Sequence, residues 1–88
     1  MNTVFLLMAA HNGKAVLSLE EVAKEYLGMN DKIRIQRKAR AGEFPFPVFR
    51  LGNSQKSPWL VSIEDLAAYI DKQKEAAKKD FQALQEVS

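Results

Sequence analysis

Lys32–Lys56, KIRIQRKARAGEFPFPVFRLGNSQK, is the stretch on which the reading of this chain turns. It holds seven basic side chains (Lys32, Arg34, Arg37, Lys38, Arg40, Arg50 and Lys56) against one acid, Glu43. The flanks are mildly acidic: residues 1–31 carry two bases and four acids, and residues 62–88 carry four and six. The net charge of +2 therefore averages over a concentrated positive segment, and a phosphate-bearing partner suits that sign.

The first part of the stretch reads as a helix. Asn30 or Asp31 can cap it, and Gly42 ends it after about Ala41. Its apolar positions are Ile33, Ile35 and Ala39. The spacing of Ile35 and Ala39 defines an inner stripe, with Lys32, Gln36, Arg37 and Arg40 largely off it. Upstream, Ser18-Leu-Glu-Glu21 fits a capping box. Leu19, Val22, Ala23, Tyr26 and Leu27 then recur at helical spacing until Gly28. A helix, a three-residue link (Gly28–Asn30) and a basic second helix make the helix-turn-helix pattern.

Downstream, Pro45 and Pro47 force an extended path. Val48–Leu51 and Trp59–Val61 are strand-like runs around the polar loop Gly52–Pro58, which predicts a β-hairpin of the wing type. Phe44, Phe46, Phe49 and Trp59 flank prolines and alternate along it, which favours core packing over base stacking. Ser62-Ile-Glu-Asp65 caps a last helix with Ile63, Leu66, Ala67, Ile70, Ala77, Phe81 and Leu84 along it. At the other end, periodicity alone allows a helix or a strand over Val4–Ala10. A short helix ending before Asn12-Gly13 is preferred, followed by an extended Ala15–Leu17.

The expected fold is mainly α with a small β-hairpin: a winged helix-turn-helix of the excisionase or MerR type with a long C-terminal helix. Residues 1–71 form the expected DNA-binding domain, and residues 72–88 a helical extension. A small domain with no cysteine lacks disulfides and thiolate zinc sites, so oligomerisation is the usual supplement to its core. Lone helices of this length are marginal in water, and Ile70, Ala77, Phe81 and Leu84 are the expected contacts of a homodimer or higher homo-oligomer. The same extension offers a surface to another protein, such as RNA polymerase.

Arginine and glutamine can read guanine and adenine edges, so Gln36 and Arg37 are assigned to bases. Lys32, Arg34, Lys38 and Arg40 are assigned to phosphates. Arg50, Asn53, Gln55 and Lys56 are wing candidates, although Asn53–Lys56 reads equally as an ordinary polar loop and Arg50 could pair with an acid. His11 has no second histidine and no cysteine beside it, and the serines read as caps or loop residues. No catalytic constellation, metal-ligand spacing or glycine-rich phosphate loop is seen, so no enzyme activity, metal or cofactor is expected. The apolar run in Thr3–Ala10 is too short to span a bilayer and lacks a basic n-region, which suits a cytoplasmic protein without membrane attachment.

Three segments carry a family resemblance: MNT-x-FLLMA-x-HNG at the start, ARAGEFPFPVFRLGNSQKSPWLV over 39–61 and IEDLAAYIDKQKEAA over 63–77. Together they resemble the pyocin activator protein family, PrtN, with SQK and DLAAYID the more distinctive parts. GEFPFPVFRLG also looks like the AlpA and excisionase group. The resemblance implies a small DNA-binding transcriptional activator of pyocin or prophage genes, acting after DNA damage on repeated upstream boxes. It carries over no individual contact. An excisionase-like DNA-bending factor and a protein–protein adaptor acting through the last helix are the alternatives.

Overall fold

The computed structural model describes residues 2–87, so Met1 and Ser88, the outermost residues of the two expected segments, lie outside the described residues. The elements run α1 (Thr3–Ala10), β1 (Val16–Ser18), α2 (Leu19–Leu27), α3 (Lys32–Arg40), β2 (Leu60–Ser62) and α4 (Ile63–Val87). The fold class is the expected one: mainly helical, with a small antiparallel β pair and a long C-terminal helix.

Local chemistry sets most boundaries. The Asn2 side chain accepts from the Val4 N–H at 2.8 Å and starts α1. Asn12 and Gly13 follow α1 with φ of 60° and 76°, which places the expected turn. Ser18 Oγ accepts from the Glu21 N–H at 3.3 Å, and Ser62 Oγ accepts from the Asp65 N–H at 3.1 Å. Of the two candidate caps of α3, Asp31 takes the role, and its Oδ1 accepts from Ile33 and Arg34 N–H at 3.1 and 3.3 Å. Gly28 closes α2 at φ 67°, a conformation that penalises any side chain.

The β pairing is sharper than the sequence suggests. The second expected strand forms as β2, but its continuous partner is β1, in the register Val16–Ser62, Leu17–Val61, Ser18–Leu60. Val48–Leu51 joins through one bridge: the Phe49 N–H donates to Leu60 O at 3.0 Å, and the Leu60 N–H donates to Phe49 O at 2.7 Å. In an antiparallel ladder the next hydrogen-bonded pairs would be 47 with 62 and 51 with 58. Positions 47 and 58 are both proline and have no N–H to donate, so the hairpin is one bridged pair long.

The core lies between the helices and this small sheet. Leu19, Val22 and Ala23 of α2, Ile35 and Ala39 of α3, Val61 of β2, and Ile63, Leu66 and Ala67 of α4 are all buried. Leu7 brings α1 into the same cluster. Two polar links fasten α1 at its ends: Thr3 Oγ1 donates to Asp71 Oδ1, and His11 Nε2 meets the Tyr26 hydroxyl at 2.8 Å. Burial, and secondarily the Glu25 carboxylate, raises the Tyr26 phenol above its ordinary pKa. Phe46 is buried and stacks on Phe44 at 5.8 Å, with Tyr69 edge-on at 5.6 Å, the packing role expected of these rings.

From Asp71 to Glu86 every residue of α4 is exposed. A helix of 25 residues spans roughly 37 Å at about 1.5 Å per residue. This explains an outline of 55 × 27 × 18 Å for so short a chain.

Candidate nucleic-acid interface

α2 and α3 pack together across the link 28–31, one residue longer than expected because Asp31 is the cap and not part of the helix. Ile35 and Ala39 turn into the core, which fixes where every other α3 side chain points. At 100° per residue, Ile33, Arg37 and Arg40 form the row opposite the core. Lys32 and Gln36 lie on one flank of that row, Arg34 and Lys38 on the other.

The Lys32 and Gln36 flank opens onto a cleft of about 480 Å³ between α3, the start of α2 and the loop before β2. Lys32, Gln36 and Arg40 line it from α3, and Gln55, Lys56 and Trp59 line it from the loop. Residues far apart in sequence thus share one surface, and Glu20 is the only acid among its lining. Lys32 Nζ lies 3.9 Å from the Glu20 carboxylate, both side chains being well exposed, a geometry that contributes little to stability. Among the described residues, no ion pair involves Arg34, Arg37 or Arg40. These three arginines of α3 are therefore not consumed by ion pairs within the chain.

The remaining candidates divide. Arg50 does not pair with an acid; its guanidinium sits over the Trp59 ring, 4.5 Å from the centroid. That stacking holds a planar cation at the base of the loop. Lys38 reaches over Phe44 at 5.8 Å, on the flank away from the cleft. Asn53 is exposed at the loop tip and does not line the cleft. The tip is shaped by Ser54, whose Oγ accepts from the Lys56 N–H at 3.1 Å and whose carbonyl accepts from the Ser57 N–H at 3.0 Å. A Cβ at Gly52 would fall 2.2 Å from Ser57 Oγ and 3.2 Å from its Cβ, so a side chain there would require Ser57 to shift.

Two residues of this surface were not singled out from the sequence. Trp59, read there only as core, is half-buried and carries Arg50 while lining the cleft. Ile33, read there only as an apolar helix position, is 75% exposed. Its helical angle from Ile35 and Ala39 already placed it on the outward row, which is the clue that was available.

On α4, Ile70 packs against the core, while Ala77, Phe81 and Leu84 are exposed. Ile70 and Ala77 line a shallow apolar groove of about 370 Å³ beside Tyr26 and Leu27 of α2.

A protein-family model described as Pyocin activator protein PrtN matches residues 3–77. The chain belongs to this family. PrtN is an activator family, so the protein is a regulator in the pyocin-activator class. The PrtN match takes in both helices of the helix-turn-helix, the loop, β2 and α4 as far as Ala77, hence every residue lining the cleft. Comparison with curated proteins and with solved structures gives no match. Among the described residues, no group of three His, Cys, Asp or Glu side chains could hold a metal ion, and no helix is long and apolar enough to cross a membrane.

Proposed function

We propose that this PrtN-family protein activates pyocin-like or prophage genes by sequence-specific binding of double-stranded DNA. The observation that carries the proposal is the shared cleft, where Lys32, Gln36 and Arg40 of α3 face Gln55 and Lys56 of the loop. A helix whose outward row and flanks are basic fits a major groove, and the loop then reaches the neighbouring backbone. Phosphates recruited by Lys32, Arg34, Lys38 and Arg40 supply affinity, and Gln36 and Arg37 supply sequence preference. No bond is made or broken in this function.

The test is to recover genomic DNA with the purified protein at physiological salt and sequence it. A repeated motif upstream of phage or bacteriocin structural genes is the expected result. Enrichment at an attachment site would make it an excisionase, with a strong bend in circular-permutation gels. Uniform, salt-labile recovery would refute sequence-specific binding.

Lys32→Ala is expected to weaken cognate and scrambled duplexes alike. It should reduce the slope of log affinity against log salt by about one, the signature of one lost phosphate contact. An unchanged slope would remove Lys32 from the phosphate set.

The DNA-binding unit is proposed to work as a homodimer joined through α4. Ile63, Ile70, Ala77 and Leu84 recur every seven residues, and the row passes from the core out along the projecting half of the helix. Phe81 and Leu84 remain 61% and 72% exposed in the isolated chain. A twofold pair would present two α3 helices to a pseudo-palindromic site. Phe81→Glu should halve the mass measured by light scattering, and a wild-type mass that persists in the variant would place the interface elsewhere.

A further inference from the structure

Ile33 is the one large aliphatic side chain in the outward row of α3, set between basic and amide groups and 75% exposed. It contributes nothing to the core, which α3 meets through Ile35 and Ala39. It is also not a favoured helix former, because its branched Cβ restricts side-chain freedom against the preceding turn. On a purely phosphate-binding face, a lysine or glutamine at this position would serve better. The chemistry that an aliphatic group recognises in a major groove is the C5-methyl of thymine, the one apolar feature displayed on the base edges of unmodified DNA.

We infer that Ile33 is a specificity-determining residue that packs on a thymine methyl in the bound DNA, an inference that rests on the DNA-binding role of α3 proposed above. Its position in the helix supports this assignment. Ile33 follows the Asp31 cap by two residues, in the first turn of α3. The N-terminal residues of a recognition helix are those that meet base edges. Gln36, one turn on and half-buried at the cleft, suits adenine, the partner base of thymine. Arg37 and Arg40 complete the row on the C-terminal side. The preferred site should therefore contain a T·A pair whose methyl is required.

The test begins with selection of a binding site from random duplexes by the full chain. Each thymine of that site is then replaced singly by deoxyuridine, which removes the methyl and leaves base pairing intact. At one position in each half-site, wild type should bind the uracil duplex roughly fourfold more weakly, the worth of about one buried methyl group. Ile33→Ala should bind thymine and uracil duplexes equally at that position and as weakly as wild type binds uracil. Cytosine and 5-methylcytosine at the same position provide a second arm. A gain from the 5-methyl on a C·G pair in wild type but not in Ile33→Ala is expected of a methyl contact, whereas 5-methylcytosine bound as tightly as thymine would overturn the T·A assignment. Indifference of wild type to uracil everywhere, or an equal uracil penalty in Ile33→Ala, would overturn the methyl contact while leaving DNA binding intact. Failure to select any site would overturn the DNA-binding reading and this inference with it. Ile33 lies outside the core, so the thermal midpoint of Ile33→Ala should match wild type.

Discussion

Replacing Arg37 and Arg40 together with alanine is expected to lower affinity for the selected site by about fivefold at the least, and more at low salt. Each is a guanidinium in the outward row of α3, and neither joins an ion pair within the chain. Loss of the bidentate base contact assigned to Arg37 typically costs about 1–3 kcal/mol, and loss of the phosphate contact assigned to Arg40 adds to it at low salt. Arg37→Ala alone should relax the preference at a single base position, because Arg37 sits in the middle of the row. Arg40 also lines the cleft, so its loss should in addition reduce salt sensitivity. Fluorescence anisotropy on cognate and scrambled duplexes at several salt concentrations separates these effects. Equal losses on both duplexes for Arg37→Ala would reassign Arg37 to the phosphate backbone. Both side chains are exposed, so the thermal midpoint should be unchanged, and a large drop would show that the arginines serve the fold.

The second large effect concerns stability. Leu19→Ala is expected to cost about 3–5 kcal/mol, the range for removing a fully enclosed leucine and leaving a cavity. Leu19 is 0% exposed at the first position of α2, directly after β1, so the sheet and two helices close over it. A small domain generally has only about 5–15 kcal/mol in total. The thermal midpoint should therefore fall by more than about 10 °C. Leu19→Met keeps most of the volume and should cost under about 1.5 kcal/mol. Urea titration of both variants provides the measurement. A loss below about 1 kcal/mol for the alanine variant would contradict the packing of α2 described here.

The helix-turn-helix was legible because its instructions are local. Ser18, Asp31 and Ser62 cap within three residues of themselves, Gly28 supplies a left-handed stop, and Ile35 with Ala39 orients α3 without reference to anything distant. The family was legible too, in segments lying largely within the matched residues 3–77. The partner of β2 was not legible. Val61 pairs with Leu17 across the whole helix-turn-helix, and a three-residue strand carries no mark of which distant strand it will meet. The prolines that limit the hairpin were visible, but their effect depends on the register set by Phe49 and Leu60. The cleft was hidden for the same reason. Gln36 and Lys56 look like unrelated polar residues until the loop folds back over the flank of α3. Arg50 was read as a base in search of a phosphate or an acid, and the stacked Trp59 was a third possibility that composition alone does not suggest.

The single bridge between Phe49 and Leu60 has a mechanical consequence. The two Phe49–Leu60 hydrogen bonds, the Leu19 N–H donated to Trp59 O at 2.9 Å and the Arg50–Trp59 stack fasten the base of the loop, whereas β2 itself is zipped to β1 and anchored by the fully enclosed Val61. Toward the loop tip the ladder does not continue, because Pro58 has no N–H to offer opposite Leu51, so the tip is held by its own turn and not by strand pairing. In the DNA-binding role proposed above, α3 would act as a stiff finger and the loop as a more compliant thumb. α3 would set the register on a duplex, and the thumb would adjust to the local width of the groove. Sites of equal base sequence but different flanking stiffness would then be gripped with different strength.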